Sequence, residues 1–200
     1  MQYFDILPKV IHTDAVGTSK VVTNIMSRVS IIPQLLKNPL NYYEYDIQDG
    51  DTPEIIAHKY YGDSYRYWIV MLSNELMDPQ WDWPMNNRVF AKYLENKYPN
   101  IQTSSTIHYY EKIITQYDTD SMTTTINKIQ ITEDVYNGSP NSQTTTYTLP
   151  AGDVVVTVET NAVSIYGYEL ELNEAKRNIK LLNATYVGQI ETEYQKLMSV

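Results

Sequence analysis

Cysteine is absent from the 200 residues, which excludes disulfides and thiolate metal sites. Redox compartment is left open by the same absence. Phenylalanine occurs only twice, against 19 tyrosines. A core needs apolar rings and has no use for hydroxyls. Tyrosine suits half-buried positions, where one end packs and the other stays wet, as at interfaces. Basic residues are scarce. Fifteen Lys and Arg stand against 24 Asp and Glu, for a formal charge of −9. Such a surface repels phosphate backbones and anionic membranes, so neither nucleic acid nor membrane is an expected partner. No apolar run approaches membrane-spanning length. The segment MQYFDILPKVIHTDAVG has neither a basic region nor an unbroken apolar stretch. It therefore reads as no signal peptide, and folding in a cytoplasm is expected.

Reactive constellations are missing as well. His12, His58 and His108 are isolated, with no H-E-x-x-H or His-x-His around them. No serine sits in a G-x-S-x-G elbow, and no glycine-rich phosphate loop is present. Asp46, Asp49 and Asp51 do not follow the alternate-position spacing of a calcium loop. They read as a polar turn with an acid near a helix N-terminus. The expectation is a protein without catalytic residues, metal ligands or cofactor, and so not an enzyme.

What is present divides the chain into four stretches. Residues 1–40 read as an N-terminal arm, punctuated by Pro8, Gly17, Pro33 and Pro39. Within it Val22, Ile25, Met26 and Val29 recur at helical spacing, as one short helix would show. Their apolar side chains exceed what the arm alone buries, so they are candidate docking residues.

Residues 41–99 read as a compact module. YYEYDI is a strand signal. Thr52 offers an N-cap hydroxyl, Pro53 takes the first helical position, and Glu54 suits the helix N-terminus. Ile55, Ile56, Ala57 and Tyr60 follow as the buried stripe, and Gly62 stops the helix. A second helix starts at Asp63 or Ser64, with Tyr65, Ile69, Leu72 and Leu76 on one face and Trp68 and Met71 widening it. DPQWDWP then returns an extended segment. Trp81 and Trp83 alternate around Asp82, which places both on one side, free to stack on sugar or anchor a partner. A third helix is expected from Asn86 or Asn87 to about Lys97.

Residues 100–165 are rich in Thr, Val and Ile, as β-strands are, with turns at NGSPN and PAGD. Residues 166–200 read as helix, short strand, helix. The fold class is α+β.

Two resemblances arise from these residues. YDIQDGDTPEIIAHKYYG followed by a second helix is similar to a LysM module, a β-α-α-β fold that commonly binds N-acetylglucosamine polymers. That likeness implies a turn at Gly50, Asp51, Thr52 and Pro53 beside the sugar groove. The closing Pro-Gly-x-x-Leu strand is absent, and ELMDPQWDWPM stands in its place. A longer resemblance runs through VTNIMSRV (22–29), YYEYDIQDGDTPEIIAHKYYGD (42–63), YWIVMLSN, DPQWDWP and LNEAKRNIKLL (172–182). In this order they resemble the baseplate wedge protein 53 family of T4-like contractile-tailed phages. The resemblance implies a structural virion protein with a LysM-like domain reused for assembly. It implies partners among other wedge subunits, neighbouring wedges and the central hub, and assembly in the host cytoplasm. The alternative is a LysM module of a tail protein that binds peptidoglycan or chitin-type glycan. The wedge resemblance makes glycan the less expected partner.

Overall fold

A computed structural model describes residues 3–31, 37–150 and 152–198. Pro33 of the arm and Ala151 of the PAGD turn lie outside these residues. The elements run β1 (Lys9–Thr13), β2 (Ser19–Thr23), β3 (Tyr42–Asp46), α1 (Pro53–Tyr61), α2 (Tyr67–Ser73), α3 (Asn87–Lys97), β4 (Ile107–Asp118), β5 (Thr123–Ile131), α4 (Glu133–Gly138), β6 (Ser142–Leu149), β7 (Gly152–Ser164), α5 (Ile165–Glu174), β8 (Asn178–Leu182) and α6 (Val187–Met198). The α+β class holds. The chain forms two compact units, one of 1–87 with 174–200 and one of 88–173.

The first unit is built around a strand pair that is far apart in sequence. β3 and β8 run antiparallel, from Tyr42 opposite Leu182 to Asp46 opposite Asn178. The strand that closes the β-α-α segment is thus present, but it comes from the C-terminal stretch and not from residues after α2. Backbone bonds continue the ladder beyond β3, where Ile47 N–H donates to Arg177 O at 2.9 Å. Arg177 returns a guanidinium bond to Ile47 O at 3.0 Å.

Local chemistry sets the helices. Thr52 is the N-cap of α1 and accepts from Ile55 N–H, and Pro53 occupies the first turn, where its missing N–H is harmless. Gly62 ends α1 at φ +72°, the left-handed conformation that glycine adopts without strain. Asp63 caps a short 3-10 turn that leads into α2. Ile56, Ala57, Trp68, Ile69, Val70, Ile179, Leu181, Leu182, Val187 and Tyr194 form one core, which Leu7 joins from the arm. Ile55 and Tyr65 stand exposed instead of lining that core. Tyr61, one residue beyond the expected stripe, is buried and donates to Leu182 O at 3.0 Å.

The arm differs from the helical expectation. β1 and β2 pair as an antiparallel hairpin from Lys9 opposite Thr23 to Thr13 opposite Ser19. Val22 lies in β2, while Ile25, Met26 and Val29 follow it outside any helix. The helical spacing was coincidental: β-branched residues at 21–23 prefer the extended pairing. Tyr3, Ile6, Val29 and Ile31 pack against the core, so the hairpin projects from an anchored base.

The second unit is a four-stranded antiparallel sheet in the order β5-β4-β7-β6. β4 is central and runs beside β7 from Ile107 opposite Ser164 to Asp118 opposite Val154. Rings tie helices to this unit. Tyr110 packs on Tyr136 at 4.7 Å, and His108 stacks on Tyr168 at 4.4 Å. Phe90 meets Tyr166 edge-on at 5.8 Å. Glu169 is buried and accepts from Lys97 at 2.8 Å, Tyr98 at 2.6 Å and Tyr93 at 3.1 Å.

Candidate functional site

The turn between β3 and α1 is closed by its own side chains. Gly50 takes φ +89°, which lets the chain reverse before Asp51. Asp51 is buried, and both its carboxylate oxygens are engaged. Oδ2 accepts from the Tyr45 hydroxyl at 2.7 Å and from Gln48 N–H at 3.2 Å. Oδ1 accepts from Lys59 Nζ at 2.6 Å. Burial alone would push the carboxyl up. The bonds from Lys59, Tyr45 and Gln48 outweigh it and hold Asp51 below the usual carboxylate range. The bond to Asp51 in turn raises each donor, Tyr45 through its hydroxyl and Lys59 through its ammonium.

Trp83 covers the other side of this turn. Its indole Nε1 donates to the main-chain carbonyl of Asp51 at 2.9 Å, and the ring is buried. Trp81 is 53 % exposed. The two tryptophans therefore do not share a face. The segment between them is a turn, in which Asp82 Oδ2 accepts from the backbone of Met77 and Asp78, both at 2.9 Å. That carboxylate curls the chain and breaks the alternation an extended strand would keep. Lys176 donates to the carbonyl of Trp81 and ties the turn to the C-terminal stretch.

A second connection, which the sequence did not disclose, locks β8 in place. Asn74 caps α2 and pairs with the backbone of Lys180 in both directions. Its Oδ1 accepts from Lys180 N–H at 2.7 Å, and its Nδ2 donates to Lys180 O at 2.9 Å. Ser73 Oγ donates to the same carbonyl at 3.0 Å. The amide acts as a miniature strand on the side of β8 away from β3. Only a tertiary pairing makes such a role visible.

The arm residues fall in two places. Ile25 and Met26, just after the hairpin, are 68 % and 79 % exposed, and Val22 on β2 is less so. Val29 is half-buried and lines a groove of about 540 Å³ with Ile31, Trp68, Leu72, Ile190 and Leu197. Trp68 and Tyr194 pack at 4.9 Å beneath it, with Tyr3 stacked on Tyr194 at 5.4 Å. Among the described residues no group of three or more His, Asp and Glu is placed to hold a metal ion.

The closed turn, the exposed apolar residues after the hairpin and the groove are features of packing and docking. The profile of the family described as Base plate wedge protein 53 matches residues 7–198. The chain belongs to that family, and its role is structural, in the tail baseplate of a phage virion. No curated protein sequence matches the chain.

Proposed function

We propose that the chain connects wedges of the baseplate into a ring around the hub, through several protein contacts and no chemistry. Its partners are other wedge subunits and the neighbouring wedge, joined in the host cytoplasm. Val22 on β2, Ile25 and Met26 just after the hairpin, Trp81 on its turn, and the groove containing Val29 are the docking patches. Each patch is small, and one chain holds adjacent subunits by presenting several at high effective concentration.

The β3-α1-α2-β8 unit is a LysM-like module whose closing strand is carried to the far side of an insertion. The observation that carries this reading is the state of its turn. Asp51 spends its oxygens on Tyr45, Gln48 and Lys59, and Trp83 takes its carbonyl. A sugar would have to displace those bonds. Gly50, Asp51, Thr52 and Pro53 are therefore structural, and the module is a folding element and no longer a glycan reader.

Two experiments test this. Purified chain mixed with the wedge subunits encoded beside it is expected to co-elute as a complex, and Ile25→Asp with Met26→Asp to weaken that complex. Chitin oligomers are expected to give no heat of binding. Micromolar chitin binding lost in Asp51→Ala would overturn the reading, as would wedge complexes indifferent to both arm substitutions.

A further inference from the structure

The two edges of the four-stranded sheet are not alike. β5 carries Lys128 near its centre, paired with Glu171 at 2.9 Å. An edge lysine discourages another strand from adding on. β6 reads SQTTTYTL and has no charge, no proline, no glycine and no bulge over eight residues. All eight residues are exposed. Its register on β7 is unbroken from Ser142 opposite Glu159 to Leu149 opposite Gly152. Among the described residues no strand is hydrogen-bonded to its outer side. A long, regular, neutral edge of this kind lacks each device by which strands avoid pairing with another chain.

We propose that β6 is a self-association edge, which pairs antiparallel with β6 of a second copy of this chain and joins two sheets into one of eight strands. The inference rests on the edge alone and does not depend on the connector reading. A two-fold axis perpendicular to the sheet must pass through a residue, because directly opposed residues share a face. An axis at Thr145 sets Thr144 against Thr146, Gln143 against Tyr147 and Ser142 against Thr148. No charge meets a charge, and the Thr–Thr and Ser–Thr pairs are favourable neighbours. An axis one residue further on would set Ser142 against Pro150, and one residue earlier would set Thr148 against Pro140, and proline has no N–H to give the ladder. Thr145 is therefore the expected centre.

The net charge of −9 does not forbid the pair. The nearest fixed charges on the strand behind the edge are Asp153 and Glu159 of β7. Across the joined edge, one β7 lies three strand spacings from the other, about 14 Å. The screening length at physiological salt is about 8 Å. Edge pairing alone buries less than the roughly 1,200–2,000 Å² of a stable interface, so the free dimer is weak and builds up only at high protein concentration.

Sedimentation equilibrium on the full chain, up to the high-micromolar range, reads this directly. Wild type is expected to approach a dimer mass. Thr145→Lys alone and Thr145→Asp alone place like charges opposite each other and are expected to weaken association about tenfold or more. A one-to-one mixture of the two is expected to restore it. Because the chain has no cysteine, Thr145→Cys provides a second reading that is independent of charge. A short bis-maleimide should join it to a covalent dimer, and should leave Ile126→Cys on the opposite edge largely monomeric. A wild type that stays monomeric throughout, or a dimer that neither charged variant weakens, would overturn the proposal. So would equal cross-linking at both edges.

Discussion

The indole nitrogen of Trp83 sits 2.9 Å from the main-chain oxygen of Asp51, the residue that also anchors Tyr45 and Lys59. One buried ring thus closes the turn from outside. Trp83→Phe keeps most of the packing and leaves the Asp51 carbonyl unpaired, for an expected loss of about 1–3 kcal/mol. Trp83→Ala also empties the ring's volume, for about 3–5 kcal/mol. Trp81→Ala removes an exposed ring and should stay within about 0.5 kcal/mol. Urea unfolding midpoints of the three variants check the order.

Asp51 also gives stability a pH dependence of known sign. Its carboxyl titrates lower in the folded chain than in the unfolded one, so the folded state holds fewer protons in acid. The contribution is fully present above the unfolded value of about 3.9. It is lost as pH falls through the lower, folded value. The stability difference between wild type and Asp51→Asn should therefore be constant near neutrality and shrink only below about pH 4 to 5. A difference that shrank between pH 6 and 8 would assign the effect to another group.

Asn74 is expected to matter more than a polar residue at a helix end normally does. Asn74→Ala leaves Lys180 O with the Ser73 bond and takes the side-chain acceptor from Lys180 N–H. The expected loss is about 2–3 kcal/mol, with faster amide exchange along β8. Asn74→Asp keeps the acceptor and gives up the donor, so it should fall between wild type and Ala.

Much of the first unit could be read locally. Thr52, Pro53 and Gly62 mark the limits of α1 because caps act over three or four residues. Asn87 and Lys97 bound α3 as the pattern indicated. The partner of β3 was not readable, since residues 42–46 meet 178–182 and no local signal encodes a pairing across that distance. YYEYD and NIKLL each look like a strand, but sequential elements usually adjoin, which points to a closing strand next to α2 instead. The tryptophan pair failed for a different reason. Period-two alternation assumes extended backbone, and Asp82 bends it. The arm stripe failed because positions 22, 25, 26 and 29 satisfy a helical template while 19–23 pair as a strand.

Glu169 is the corresponding test in the second unit. It is buried and accepts from two tyrosines and a lysine. Burial pushes its carboxyl up, and the bonds from Lys97 and Tyr98 more than offset this, so it titrates below the usual range. Glu169→Ala should destabilise the unit by about 2–4 kcal/mol at neutral pH. Glu169→Gln keeps acceptor capacity and removes the charge, and should cost less. Thermal unfolding of both variants distinguishes charge from simple volume loss.

The most direct test of the connector role is amide exchange on the chain, free and within assembled wedges. In the free chain, exchange is expected to be fast at 24–28 and at 77–82, because these amides bond mostly within short exposed turns and belong to no helix or strand. Assembly should slow exchange at both segments and leave 50–53 unchanged, since that turn is already closed from within. Exchange that is identical at 24–28 and 77–82 in the free and assembled states would contradict the account. Protection at 50–53 on adding chitin oligomers would do so equally, and would return the turn to a sugar-binding role.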